Sequence, residues 1–249
     1  MKTIVILLFA VIATTTTLEL PNNFKLCKRS DPKVLECIAD AARDAVISLA
    51  EGLKDFKILP IEPLAINSVK IGGSQGSVSL KQEYRNIKLY GLTKGLQVYN
   101  YQIDWDNLIF KSESFNPQVD FVADYKIQGN ILLLPIHGEG RSNITMYNLT
   151  TINDIRFEKF QKDGETYMRT VKYLVKLNPK HITLRFDDLF NGNTFLGEEM
   201  NKFINANADV LFKELQAPYE ETFGLIFAKI TNDIFSRVPM KKIFVDVDV

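Results

Sequence analysis

In this chain of 249 residues, 30 Lys and Arg are balanced by 30 Asp and Glu, and no block of like charge appears. That balance argues against nucleic acid or an anionic membrane surface as partner, because either calls for a basic excess. The length is enough for a substantial core, and two cysteines with two scattered histidines do not make a metal set or point to a cofactor.

The chain opens with Lys2 and an apolar run over residues 4–13 that ends in small residues. The run is too short to span a bilayer and reads as a cleaved signal peptide within residues 1–17. Cleavage is expected just after Ala13 or nearer Leu18, leaving one domain over residues 18–249. No later segment is apolar enough to insert stably in a membrane, so the mature protein is expected to be secreted and extracellular. Cys27 and Cys37 lie close together just beyond, and an oxidising route makes them a disulfide pair. A loop that short is worth about 2–3 kcal/mol, so the bond would pin the N-terminus rather than hold the fold.

Asp31-Pro32 starts a helix, with Asp31 as N-cap and Pro32 at the first position. Val34, Leu35, Ile38, Ala42, Ala45, Val46 and Leu49 follow at helical spacing, and Gly52 lies near the stop. Pro60 and Pro63 mark an extended linker. From about Ile66 to Phe186 the period changes to two, as in Val119, Phe121, Ala123 and in Val171, Tyr173, Val175, Leu177. Turn signals recur at Gly72-Gly73, Thr93-Lys94-Gly95, Asn116-Pro117, Lys162-Asp163-Gly164 and Asn178-Pro179. Strands with short turns and no helices between them predict an antiparallel sheet. Within it, Asn143-Ile-Thr145 and Asn148-Leu-Thr150 are glycosylation sequons. In an unbroken strand they face opposite sides, and Asn148 shares its side with Ile144 and Met146, so Asn143 is the preferred acceptor.

Beyond the strands, Leu196, Met200, Phe203, Ile204, Leu211, Leu215, Phe223, Phe227, Ile230 and Ile234 form a wide apolar stripe at helical spacing. Pro218 is expected to split this helix into pieces over residues 196–216 and 219–236. A stripe this wide needs a large apolar partner surface, which the strands can supply only by curling around it. The fold class is therefore α+β, a long C-terminal helix wrapped by a curved antiparallel β-sheet, with a short N-terminal helix.

Catalytic signals are weak. Gly72-Gly73-Ser74-Gln75-Gly76 fits a nucleophile elbow, but an alternating strand follows where that motif needs a helix. His137 and His181 have no nucleophile to activate. Asp187-Asp188 and Glu198-Glu199 suit the positive end of a helix, Asp246-Val-Asp248 lacks metal-loop spacing, and Trp105 fits a half-buried strand position.

Several segments together resemble the takeout family, secreted insect proteins related to the haemolymph juvenile hormone binding proteins. They are Cys27-Lys-Arg-Ser-Asp-Pro32 with Cys37, the Tyr90-Gly-Leu92 turn, and Asp124-Tyr-Lys-Ile-Gln-Gly129 running into Leu132-Leu-Leu-Pro-Ile136 and Gly138-Glu-Gly140. Leu189-Phe-Asn-Gly192 then leads into the long helix. The resemblance covers nearly the whole mature chain and implies a tubular lipid-binding fold and a non-enzymatic carrier of a terpenoid such as juvenile hormone, a fatty acid or a similar lipid. It departs from the hormone carriers in lacking a second cysteine pair, and Asn205-Ala-Asn-Ala208 stands where many relatives carry tryptophan. The expected partner is a small hydrophobic ligand, with a monomer as the working state. The helix stripe supplies the expected tunnel lining: Met200, Phe203, Ile204, Leu211, Phe223 and Phe227. The competing readings are a secreted protein–protein interaction module with a solid core and, more remotely, a serine hydrolase.

Overall fold

The computed structural model describes residues 18–72 and 78–246. Residues 1–17, where a signal peptide is expected, residues 73–77, where the glycine-rich turn is expected, and residues 247–249 lie outside them. The chain runs β1 (Cys27–Lys28), α1 (Val34–Ser48), then β2 (Leu64–Ile71), β3 (Val78–Tyr90), β4 (Gln97–Asp104), β5 (Ile109–Ile131), β6 (Leu134–Lys162), β7 (Glu165–Asn178) and β8 (His181–Phe186). A distorted turn, α2 (Leu189–Gly192), leads to α3 (Thr194–Ala206) and α4 (Ala208–Phe235), and β9 (Phe244–Val245) ends the described fold. The large antiparallel sheet and the long C-terminal helix agree with the expected α+β class.

β5 and β6, of 23 and 29 residues, pair along nearly their whole length, and the other strands dock on this ribbon. One edge of β5 takes β4 and then β3, with β2 outside β3, whereas the far edge of β6 takes β8 and then β7. The sheet does not close on itself. Helix α4 lies chiefly against β7 and also reaches β8, β2 and β3, so the helix bridges the two ends of the curled sheet. Gly224 is the point of closest approach, where a Cβ would collide with the Tyr173 carbonyl oxygen.

The free edges of β8 and β7 are met by helix side chains. Asn201 accepts from the Phe186 N–H at 2.9 Å and donates to its carbonyl at 2.8 Å, and Asn205 does the same at Leu184, at 2.9 and 2.7 Å. Glu220 and Gln216 take the N–H and carbonyl of Leu177, and Asn232 takes both groups of Thr170. Each primary amide copies the donor–acceptor pair of a neighbouring strand, so buried backbone groups stay satisfied.

Three expectations are corrected. First, the C-terminal helix breaks at Asn207, not at Pro218, which lies inside α4. Asn207 leaves helical geometry and donates to the Phe203 carbonyl at 2.8 Å, the side-chain competition that disfavours asparagine within helices. Around Pro218, the bonds of Gln216 and Glu220 to Leu177 hold the helix against β7. Second, Asn116-Pro117 is not a turn but the interior of β5. Pro117 lies opposite Asn148, at a gap in the β5–β6 ladder and between the stretches paired with β4 and β3, so its missing N–H leaves no vacancy. Third, α1 begins at Val34, with Asp31 accepting from Lys33 N–H at 2.8 Å just before it, and Asn193 rather than Asp187 or Asp188 caps α3.

Asn148 adopts φ +48°, and the strands change faces there. Ile144 and Met146 point inward before it, Leu149, Thr151 and Asn153 after it, and β5 switches from Asn116 to Val119 at the same level. The unbroken strand behind the preference for Asn143 is therefore absent, and both sequon asparagines are exposed.

Two expected outcomes follow from these contacts. Asn201→Ala should lower stability by about 1–3 kcal/mol, since it strands buried backbone groups of Phe186, with urea unfolding as the measurement. Protein made through a secretory pathway should carry glycan at Asn148 as well as Asn143 in glycopeptide mapping. Asn148 bare beside a filled Asn143 would show that exposure does not control occupancy here.

Candidate functional site

The fold leaves an internal cavity of about 370 Å³ between α1, the β4–β6 part of the sheet and the second half of α4. Close-packed interiors leave few voids larger than a water molecule, so this space is not incidental to packing. Small side chains make room for it: Ala41, Ala42 and Ala45 face it from α1. Opposite them, Phe223, Phe227 and Ile230 of α4 form an apolar wall. Lys25 also lines it and pairs at 3.3 Å with Asp40, both half exposed, which marks where the lining meets solvent.

The cavity end nearest the N-terminus is fastened twice. A disulfide joins Cys27 to Cys37, tying β1 to α1, and β1 pairs in parallel with β9. Around them Ile38, Phe110, Phe157 and Phe244 form a second apolar cluster, with half-buried Trp105 edge-on to Phe110 and Phe244. Trp105 lies in the β4–β5 turn, under the Arg29 guanidinium, rather than on a strand.

The floor carries a polar patch, Ser112 and Ser114 of β5 beside Asn153 and Thr151 of β6. These groups are largely engaged with one another and with tyrosines. Asn153 accepts from the Tyr173 hydroxyl at 3.0 Å and donates to Ser114 at 3.4 Å, while Tyr101 bonds Ser112. Burial pushes the Tyr101 hydroxyl up to about 12 and raises Tyr173 too, so both stay protonated near neutrality.

A second cavity, of about 50 Å³, lies further along the sheet between β3, β5, β6, β8 and α3–α4. Met146 lines both. Between them Tyr84 packs edge-on against Phe121 and Phe121 against Phe223, and the Tyr84 and Tyr219 hydroxyl oxygens lie 2.9 Å apart.

The expected lining residues divide. Phe223 and Phe227 wall the large cavity, Ile204 and Leu211 the small one, and Met200 and Phe203 line neither but pack in the main core. The contribution of α1 went unread, although its alanines at 41, 42 and 45 on a core-facing helix were a visible signal. Elsewhere, His137 is edge-on to Phe190 and His181 stacks on Tyr147, both histidines exposed. Among the described residues no group of three or more His, Cys, Asp or Glu is placed to hold a metal. The Gly72 motif lies largely outside the described residues, and the first described element after it is strand β3 from Val78, not a helix.

The chain is similar to known proteins. A family model described as haemolymph juvenile hormone binding protein matches residues 5–245. The circadian clock-controlled protein daywake of Drosophila melanogaster is 24% identical over 231 residues, covering 90% of this chain and 88% of its own. Its counterpart from Drosophila yakuba is 24% identical over 233 residues with the same coverage. In three dimensions the crystal structure of Epiphyas postvittana Takeout 1 matches with a TM-score of 0.79 at 23% identity, over 89% of this chain and 99% of that one.

If the large cavity is the functional space, filling it should remove capacity without harming the fold. Ala45→Phe is expected to reduce uptake of a fluorescent fatty acid at least several-fold while leaving the melting temperature nearly unchanged, because a void accepts volume that a packed core resists at about 1–3 kcal/mol. A clear drop in melting temperature with full uptake would place binding elsewhere.

Proposed function

We propose a carrier role on this premise: the chain belongs to the haemolymph juvenile hormone binding protein family, which also holds the takeout proteins. In this reading it is a secreted, non-enzymatic carrier that encloses one small hydrophobic molecule, a terpenoid, fatty acid or similar lipid. The observation that carries the reading is the cavity of about 370 Å³ walled by apolar side chains from α1, the sheet and α4. Its size falls at the low end of small-molecule pockets, about 300–1,000 Å³, which suits a single slender chain better than a multi-chain lipid. The Cys27–Cys37 disulfide supports passage through an oxidising compartment. Absence of catalysis is supported by the family's character and, among the described residues, by ring contacts rather than nucleophile contacts at both histidines.

The energetics agree with reversible carriage. Burying about fifteen carbons gains roughly 12 kcal/mol gross at about 0.8 kcal/mol per CH₂. Association costs of at least about 4 kcal/mol leave about 8 kcal/mol, which is micromolar affinity.

The test is native mass spectrometry of protein purified from secreting cells, followed by solvent extraction. One hydrophobic molecule per chain, lost on extraction and regained on adding lipid, is the expected result. A protein that emerges empty and takes up neither fatty acids nor terpenoids overturns the carrier role.

A further inference from the structure

Gln82 is a buried polar side chain whose amide nitrogen is unpaired. It sits on β3 between Ile71 of β2 and Ile127 of β5, faces inward and is 3% exposed. Its Oε1 accepts from the hydroxyls of Tyr84 at 2.8 Å and Tyr219 at 3.0 Å, and those two hydroxyls lie 2.9 Å apart. Its Nε2 has no partner, and among the described residues it is the one buried side-chain nitrogen or oxygen in that condition. Leaving such a donor buried and unpaired costs about 1–3 kcal/mol. The tyrosines use only the Oε1, so the Nε2 is left for an acceptor that is not part of the folded chain.

Gln82 lines the 50 Å³ cavity, whose other walls are apolar apart from Tyr219. A resident water needs two to four polar partners. Here it would find the amide and a Tyr219 hydroxyl already engaged with Gln82 and Tyr84. The space holds only a few atoms, too few for a whole lipid but enough for the oxygen-bearing end of one. Met146 lines both cavities, and an unbranched thioether side chain changes rotamer at little cost. The polar patch of the large cavity makes a weaker claim, because Asn153, Ser114 and Ser112 already bond one another or tyrosines.

We propose that Gln82 is a ligand-recognition residue: its amide NH₂ donates to an acceptor oxygen, a carbonyl of ester or ketone type, at the end of a chain that lies in the large cavity and passes Met146. Tyr84 and Tyr219 act as positioning residues, holding the amide so that its nitrogen faces the space. The proposal rests on the carrier reading and adds the residue that reads the oxygen at the end of the cargo.

The experiment measures displacement of the fluorescent probe N-phenyl-1-naphthylamine by methyl laurate and methyl palmitate, each against the alkane of equal chain length, tetradecane or octadecane. The full chain and its Gln82→Met and Gln82→Glu variants are compared, the second keeping an acceptor for both tyrosines. The wild type should prefer ester over alkane by about ten-fold, the worth of one buried hydrogen bond. Both variants should bring that ratio close to one with alkane affinity unchanged, Gln82→Glu when read at a pH high enough to ionise its carboxyl, which in the neutral form is itself a donor. A ratio that persists in either folded variant, or a wild type that does not discriminate, overturns the role of Gln82 and leaves the carrier reading standing. A wild type that binds neither class removes the carrier reading itself. Should both variants fail to fold, the wild-type complex with methyl [1-¹³C]palmitate decides. A carbonyl stretch lowered from its position in hexane is expected, and an unshifted band overturns the proposal.

Discussion

A curved sheet that does not close on itself leaves edges of unpaired backbone, and the way those edges are satisfied governs the rest of this molecule. Asn201 and Asn205 bond both backbone groups of Phe186 and Leu184 on β8, Gln216 and Glu220 together serve Leu177 on β7, and Asn232 serves Thr170. Open strand edges are sticky, and these side chains blunt them from within the same chain. They also index the helices against the strands in the way a ladder indexes one strand against another. Apolar packing alone would let α4 slide along the sheet by part of a turn. With anchors at Glu220 and Asn232, the intervening Phe223 and Phe227 are held at one height, and so is the wall of the large cavity.

The interior is divided by a fault in the sheet. At Pro117 and Asn148 the β5–β6 ribbon changes which side chains face inward. On one side of that level Ser112, Asn116, Leu149, Thr151 and Asn153 look into the large cavity, and on the other Ile127, Ile131 and Ile144 look into the small one. Met146 stands next to the fault and touches both. Proline and a left-handed asparagine suit such a point, because one gives up a ladder donor and the other accepts positive φ with little strain.

Much of this architecture is legible in the sequence, for identifiable reasons. Period-two alternation runs far enough to mark the strands, and the stripe from Leu196 onward is long enough to mark the helix. The cysteine pair lies close enough to suggest its own bond. What stays hidden are positions where tertiary contacts override local preference. Pro218 looks like the break until the bonds of its neighbours to β7 are known, and Asn148 looks inward until the change of face is seen. Alternation cannot locate such a change, because each half of the strand is regular by itself; the left-handed asparagines at 86, 100 and 148 are its only trace. The site is less legible than the fold. A stripe on α4 says that something apolar faces it, but whether a given residue meets core or void depends on the opposite wall, here the alanines of α1.

The pairing of β1 with β9 has a consequence for how the protein is made. Residues 27 and 28 are among the first of the fold to leave the ribosome, and their strand partners, 244 and 245, are among the last. Cys27, Ile243 and Phe244 all contribute to the lining of the large cavity, so that end of the cavity closes only after α4 has been made. The disulfide to Cys37 spans only ten positions and has no such delay. The staple can therefore form while most of the cavity's walls are still unmade, and the closing of this end is among the last steps in building the fold.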